Sequence, residues 1–380
     1  MSRRRGLSRR SLLVGAVVVG GASQLTACTE DGSSTAGPSA AAGNATRGAT
    51  ESFPITVEHA YGSTVIESEP TRIATVAGVD NDVVISLGIV PVGMPAVSRG
   101  ADDNGAYPWT TEALEALNAG WDTEAAPTLY SEADGINTEE IAALAPDLIL
   151  GVHSDMSEDD YRKLSTIAPT LAYPAGTVGY AASWKTTTTT IGRALGRSAA
   201  AEVLVNTTTD VVTSTKTANP ALAGATYAAV VLDPDGPSIT MYAASDSRSQ
   251  LLTQLGLTLS PAAVAAGADT DDELTVAYPL ESADELVADL LWVEAEDAAA
   301  VEAIEQDARL SAIPAIAEGT ALFVTDATAA MSLAEASPLS LPWCCENHIP
   351  DVVAAVAASK AAATARVSAT ASAVASATAS

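Results

Sequence analysis

Apolar and polar positions alternate along this chain in two patterns. Short apolar runs, at residues 73–76 (broken only by Thr75), 148–150, 227–232 and 290–293, read as strands buried on both faces. Between them, residues 139–144 and 249–255 space their apolar side chains as one face of a helix does. The order of these pieces repeats. A strand at 72–76, a helix at 82–86, Leu87-Gly88 and a strand at 89–93 are matched by 227–232, 249–254, Leu255-Gly256 and 257–259. A helix leading through Asp into a strand occurs at 139–150 and again at 283–293. A third unit, at 164–173, has its counterpart at 313–324.

Three units in one order, occurring twice, imply an α/β protein of two Rossmann-like lobes, with mostly parallel sheets and helices on both faces. The predicted boundaries are an N-terminal lobe at 51–177, an inter-lobe helix at 178–219 and a C-terminal lobe at 220–357. In the connector, Trp184, Ile191, Leu195 and Val203 share a helical face, although the run Thr186–Thr190 is β-branched and a poor helix former. Ligands of open α/β sheets bind beyond the carboxyl ends of the strands, so two facing lobes make a cleft.

The two ends of the chain depart from this pattern. Residues 1–28 carry five Arg, then a short apolar stretch, then Leu25-Thr26-Ala27-Cys28. Ser8-Arg9-Arg10-Ser11-Leu12-Leu13 fits a twin-arginine export signal. The Cys ending resembles a bacterial lipobox, which implies a lipid on Cys28 and anchoring to the outer face of the cytoplasmic membrane. Residues 29–50, rich in Gly, Ala, Ser and Thr, read as a flexible tether with a typical span of about 25–30 Å. No apolar run beyond the leader is expected to cross a bilayer. Residues 358–380 form a low-complexity Ala/Ser/Thr tail, expected to fray for want of apolar surface.

Composition narrows the function. Beyond Cys28, 13 basic residues stand against 47 acidic ones, a net charge near −34. Such a surface repels nucleic acid and anionic headgroups. Three Cys and three scattered His offer no zinc spacing and no disulfide framework. There is no Gly-x-Ser-x-Gly elbow, no Gly-x-Gly-x-x-Gly after the first strand and no phosphate loop, so no enzyme is expected.

From residue 55 to about 356 the chain resembles iron–siderophore substrate-binding proteins of ABC importers. The resemblance rests on the opening hairpin at 55–66, on Leu87-Gly88-Ile89-Val90-Pro91-Val92-Gly93 and on Ala145-Pro146-Asp147-Leu148-Ile149-Leu150. It rests also on Ile191-Gly192-Arg193-Ala194-Leu195-Gly196-Arg197 and Ser337-Pro338-Leu339-Ser340-Leu341-Pro342. It implies two lobes joined by a single long helix, a ferric siderophore whose iron is held by the chelator, no cofactor of the protein's own, an ABC permease as partner and a monomer. It implies permease contacts at Glu139 and Glu281, with Glu140 and Asp284 as neighbours of similar standing. Ligand contacts are expected at Trp109, in an irregular loop, and at Arg248, which is conspicuous where basic residues are scarce. Tyr242, Ser154 and Trp184 are further candidates. One cation in the cleft points to a weakly charged chelate. The other readings weighed are haem or a corrinoid in the same fold, a ligand-sensing receptor without a permease, and a secreted α/β enzyme.

Overall fold

The computed structural model describes residues 49–269 and 273–378, the last eight of these by backbone alone. The leader with Cys28, and the tether up to residue 48, lie outside the described residues. Both lobes belong to the unit spanning residues 44–380.

A hairpin of β1 (Ile55–His59) and β2 (Gly62–Ile66) opens the N-lobe. Its main sheet comprises β3 (Ile73–Thr75), β4 (Gly93–Pro95), β5 (Thr128–Tyr130), β6 (Leu148–Leu150) and β7 (Thr170–Leu171), ordered β5-β4-β3-β6-β7 and all parallel. Alternation across the pleat divides the apolar runs between two cores. Ile73, Leu148 and Leu150 pack with Val83, Val84 and Ile191 on one face. Ala74 and Ile149 pack with Tyr130, Ile141 and Leu164 on the other. Each fully buried Ile or Leu side chain contributes about 1.5–3 kcal/mol relative to exposure.

The C-lobe repeats this plan with an insertion. Its strands are β8 (Thr226–Val231), β9 (Ser238–Tyr242), β10 (Thr258–Leu259), β11 (Thr275–Pro279), β12 (Leu290–Glu294) and β13 (Leu322–Val324). The order is β11-β9-β8-β12-β13, with β10 also on β8. Strands β8, β10, β12 and β13 are parallel and correspond to β3, β4, β6 and β7. The inserted β9 and β11 run antiparallel. Tyr227, Ala229, Leu290 and Trp292 face one core, and Ala228, Val230, Leu291 and Val293 the other.

The repeated Leu-Gly pairs end equivalent helices, Gly78–Ser86 and Ser247–Gln254. Gly88 (φ 79°) and Gly256 (φ 101°) take the left-handed backbone that lets the next residue turn back into the sheet. Ile89 N–H then donates to Val84 C=O, and Leu257 N–H to Leu252 C=O.

Three expectations are corrected. Segment 178–219 is two helices rather than one. Trp184–Ala194 packs on the N-lobe, the chain turns at Gly196 (φ 64°), and the long helix joining the lobes is Ser198–Ala218. The C-terminal tail does not fray within the described residues: Ile349–Thr378 is one helix. Its first turns bury Ile349, Val352 and Val356 in the C-lobe core, Lys360 Nζ donates to Ala221 C=O, and Arg366 pairs with Glu318. Alanine's helix propensity carries the rest. By length and composition alone, Ile349–Thr370 is also apolar enough to cross a membrane, contrary to the sequence reading. Its mean hydropathy comes mostly from Ala, and its beginning is core.

Candidate functional site

The lobes meet along a polar seam. On the N-lobe side, Asp82 sits in the helix that follows β3 and is buried. Its carboxylate accepts three hydrogen bonds: from Trp109 Nε1 (2.9 Å), Thr110 Oγ1 (2.7 Å) and, from the C-lobe, Ser337 Oγ (2.6 Å). Burial pushes the Asp82 carboxyl up to about 6, with the three donors pulling the other way. Trp109 is not in an irregular loop. Pro108 opens the helix Pro108–Ala116, as its fixed φ favours. Tyr107 stacks on Trp109 at 4.6 Å, and Trp343 of the C-lobe tilts against it at 5.4 Å.

On the C-lobe side, Asp246 caps the helix Ser247–Gln254 and pairs with Arg248 (3.1 Å). The guanidinium lies over the Tyr242 ring, 4.1 Å from its centroid, and reaches Glu294 Oε2 at 3.3 Å. Tyr242 Oη donates to the same oxygen (2.9 Å). Burial opposes the Arg248 charge, but Asp246, Tyr242 and Glu294 outweigh it and hold its pKa above the ordinary value. Arg99 from the N-lobe closes the circuit, with Nη2 2.8 Å from Glu294 Oε1. Both arginines are therefore already compensated.

Two carboxylates at the seam have no such partner. Glu335 caps the helix Ala327–Ala334 and faces the N-lobe at Gly78, where a side chain's first carbon would come within 3.3 Å of Glu335 Oε2. Burial first, then the charge of Asp82, pushes Glu335 up to about 7. Glu132 follows β5; its Oε1 is buried without a hydrogen-bond partner, and burial pushes the group up to about 8. Tyr180, exposed and in the left-handed region (φ 62°), has its phenol pKa raised by burial and by the charges of Asp155, Glu335 and Glu132. It stands edge-on to His153, whose pKa burial lowers to about 4.

The structure thus brings Arg248 and Tyr242 into contact, and joins Trp109 to the C-lobe through Trp343 and through the Asp82–Ser337 hydrogen bond. Ser154 is buried nearby on the N-lobe side, but its hydroxyl is used locally, donating to Gly151 C=O and accepting from Met156 N–H. Trp184 lies apart from this cluster: it packs in a core with Val212, Leu251 and Trp292. Glu139 and Glu281 are exposed, each on the element leading into the strand beside the central one of its lobe, β6 and β12. For Glu281 that element is a short 3₁₀ helix, Leu280–Glu285, rather than an α-helix.

Sequence reasoning missed Asp82, Arg99, Glu132, Glu294 and Glu335. Two signals were present: the polar Asp80-Asn81-Asp82 inside an apolar helix, and Glu294 closing the apolar run Leu290–Val293. Among the described residues no cluster of His, Cys, Asp and Glu is arranged to hold a metal ion.

Residues 93–327 match the family model described as periplasmic binding protein. Among solved structures, Streptococcus pneumoniae TIGR4 PiaA in complex with ferrichrome is 28% identical, with a TM-score of 0.72 over 80% of this chain and 99% of that one. A periplasmic solute binding protein from Mycobacterium smegmatis is 27% identical, with a TM-score of 0.66 over 80% and 98%. Staphylococcus aureus SirA, complexed with staphyloferrin B, shares the fold at 21% identity, with a TM-score of 0.59 over 78% and 98%. No curated protein matches the chain.

Proposed function

The chain belongs to the periplasmic binding protein family, and from that premise we propose that it captures a ferric siderophore outside the cytoplasm and delivers it to an ABC permease without chemistry on the ligand. The observation that carries this reading is the seam itself. The N-lobe side of the seam carries a stacked Tyr107–Trp109 pair, and the C-lobe side an Arg248–Tyr242 cation–π pair. Rigid π surface with a few oriented polar groups suits a bulky chelate more than it suits a reacting substrate. PiaA, which shares this fold at 28% identity, was crystallised with ferrichrome.

The placement of two glutamates supports delivery. Glu139 and Glu281 stand exposed at equivalent positions of the two lobes, and two anionic knobs at a fixed separation give a transient partner both register and orientation. The lipobox at Cys28 holds the protein at the membrane, and the tether lets it reach the permease. The fold's single connecting helix favours a small rocking of the lobes over a wide hinge.

Intrinsic Trp fluorescence of the purified full chain, titrated with ferrichrome and with its iron-free form, tests the reading. Trp109 and Trp343 report from the seam, so saturable quenching by the ferric form is expected, reduced in Trp109→Phe. Flat traces across ferric hydroxamates, catecholates and carboxylates would remove the siderophore reading.

A further inference from the structure

A pocket of about 390 Å³ opens in the C-lobe. The residues lining it lie between positions 322 and 351, so it belongs to one lobe and does not span the cleft. Its size is that of a small-molecule site. All three residues of β13, the last strand of its sheet, line it, with Phe323 among them, and Trp343 adds a second aromatic ring. Two exposed carboxylates, Asp326 and Asp351, share the lining, and no Lys or Arg does. Asp326 uses Oδ1 for the N–H groups of Thr328 and Ala329, as the cap of the helix Ala327–Ala334. Asp326 Oδ2 and the whole carboxylate of Asp351 have no hydrogen bond or ion pair among the described residues. The buried group of the pocket is His348, 1% exposed and yet part of the lining. Trp292 Nε1 donates to His348 Nε2 (3.0 Å), so the neutral ring carries its proton on Nδ1. Burial lowers the pKa of His348, against the charges of Asp351 and Asp326, and so favours that neutral ring. Nδ1 has no partner among the described residues. Buried donors are normally satisfied, and the pocket is where an acceptor can reach this one.

We propose that this pocket binds a small organic ammonium ion that carries an apolar body and a hydroxyl or carbonyl oxygen near its nitrogen. The ammonium meets Asp351 and the free oxygen of Asp326, as charge-assisted hydrogen bonds. The ligand oxygen accepts from His348 Nδ1. The apolar body lies against Phe323 and Trp343, whose rings also suit a cation. Among the described residues no His, Cys, Asp and Glu cluster is arranged to hold a metal ion, so the cation that fits is organic. An anionic ligand would meet two like charges with no Lys or Arg in the lining to neutralise it. The proposal does not depend on the siderophore reading. The two sites have one wall in common, because Trp343 also tilts against Trp109 at 5.4 Å.

The test titrates the full chain by calorimetry with three probes. Phenylethanolamine carries the ammonium, the hydroxyl and an apolar ring, phenethylamine lacks the hydroxyl, and hydrocinnamate replaces the ammonium with a carboxylate. Phenylethanolamine is expected to bind saturably at one site, phenethylamine about 3- to 10-fold more weakly, and hydrocinnamate not measurably. Added salt should weaken the amines. Asp351→Asn should weaken phenylethanolamine by about 3- to 10-fold, and Asp351→Glu should keep most of the affinity. Asp351 is exposed and has no side-chain partner among the described residues, so both variants should unfold at the temperature of the parent. Hydrocinnamate binding as tightly as the amines, equal binding of the two amines, an affinity that Asp351→Asn leaves unchanged, or no binding of either amine overturns the proposal. Tight binding of Zn²⁺ or Ca²⁺ that Asp351→Asn abolishes would overturn it too, in favour of a metal site. None of these outcomes touches the siderophore reading, which ferrichrome tests separately.

Discussion

Arg99 and Glu294 form an ion pair from lobe to lobe, with Nη2 2.8 Å from Oε1. The two ends of the pair differ sharply in burial. The Arg99 side chain is 47% exposed and that of Glu294 only 7%. Glu294 also accepts from Arg248 and Tyr242, both well inside the C-lobe. Removing one partner should therefore cost far more than removing the other. Arg99→Ala is expected to cost under about 1 kcal/mol, as a solvent-screened pair does. Glu294→Ala leaves Arg248 buried with Asp246 alone and should cost about 3–5 kcal/mol. Urea denaturation of both variants checks this, and equal costs would contradict the burial difference.

Where the sequence was read correctly, a repeated local rule stood behind it. Leu87-Gly88 and Leu255-Gly256 mark the same helix ending twice because only glycine takes that backbone at little cost. The apolar runs at 148–150 and 290–293 mark interior strands because both faces of each sheet are covered. The seam was harder to read. Its acids come from five separate segments, and in a chain with 47 Asp and Glu nothing local separates Glu335 from a solvated surface residue. The insertion of β9 and β11 escaped for a related reason. Strand pairing direction is set by partners distant in sequence, whereas strand content is local. The tail was misread because alanine's propensity was judged too weak to offset ordering entropy with so little apolar area, and the contact of Lys360 with Ala221 is not legible in the sequence.

The paired glycines give a symmetric test. Alanine at Gly88 or Gly256 must adopt a positive φ, which costs about 1–2 kcal/mol for an L-residue. Space is open around Gly88, while at Gly256 the new carbon would approach Lys216 Cε at 3.1 Å, and that side chain can swing away. Both substitutions are expected to destabilise by about 1–2 kcal/mol in chemical denaturation, without loss of ligand binding. A neutral effect at either site would mean that the helix ending is not held by its glycine.

Acidification should strengthen the fold across mildly alkaline to neutral pH. Burial raises Asp80 to about 7, Asp82 to about 6, Glu335 to about 7 and Glu132 to about 8, from ordinary values near 4. Within that window the folded chain binds more protons than the unfolded chain, so unfolding free energy rises as pH falls. Below pH of about 6.5 the buried histidines oppose this, because burial lowers the pKa of His59 and His348 and the unfolded chain then takes up protons that they do not. Thermal unfolding should therefore occur at a higher temperature near pH 6.5 than at about pH 8.5. The double variant Glu132→Gln, Glu335→Gln should flatten the difference. A midpoint that falls on acidification over that range would contradict the burial of these carboxyls.

Adjacent cysteines in an exported protein raise the question of a vicinal disulfide, and the helix around them answers it. Cys344 and Cys345 are both free and lie within the helix Ser340–Asn347. Their side chains leave that helix in different directions. Cys344 is fully buried among Leu333, Leu341 and Ile349, while Cys345 is half-buried beside Thr215 of the joining helix. Closing the strained ring between them would require breaking the helix. Burial pushes both thiols up, Cys344 further, so neither forms a thiolate readily. Peptide-resolved alkylation of the native protein should label Cys345 slowly and Cys344 only after unfolding. Mass spectrometry of the air-exposed protein should find the peptide carrying both at its full reduced mass. Rapid labelling of Cys344, or a peptide lighter by two hydrogens, would show that this end of the C-lobe opens far more easily than its packing allows.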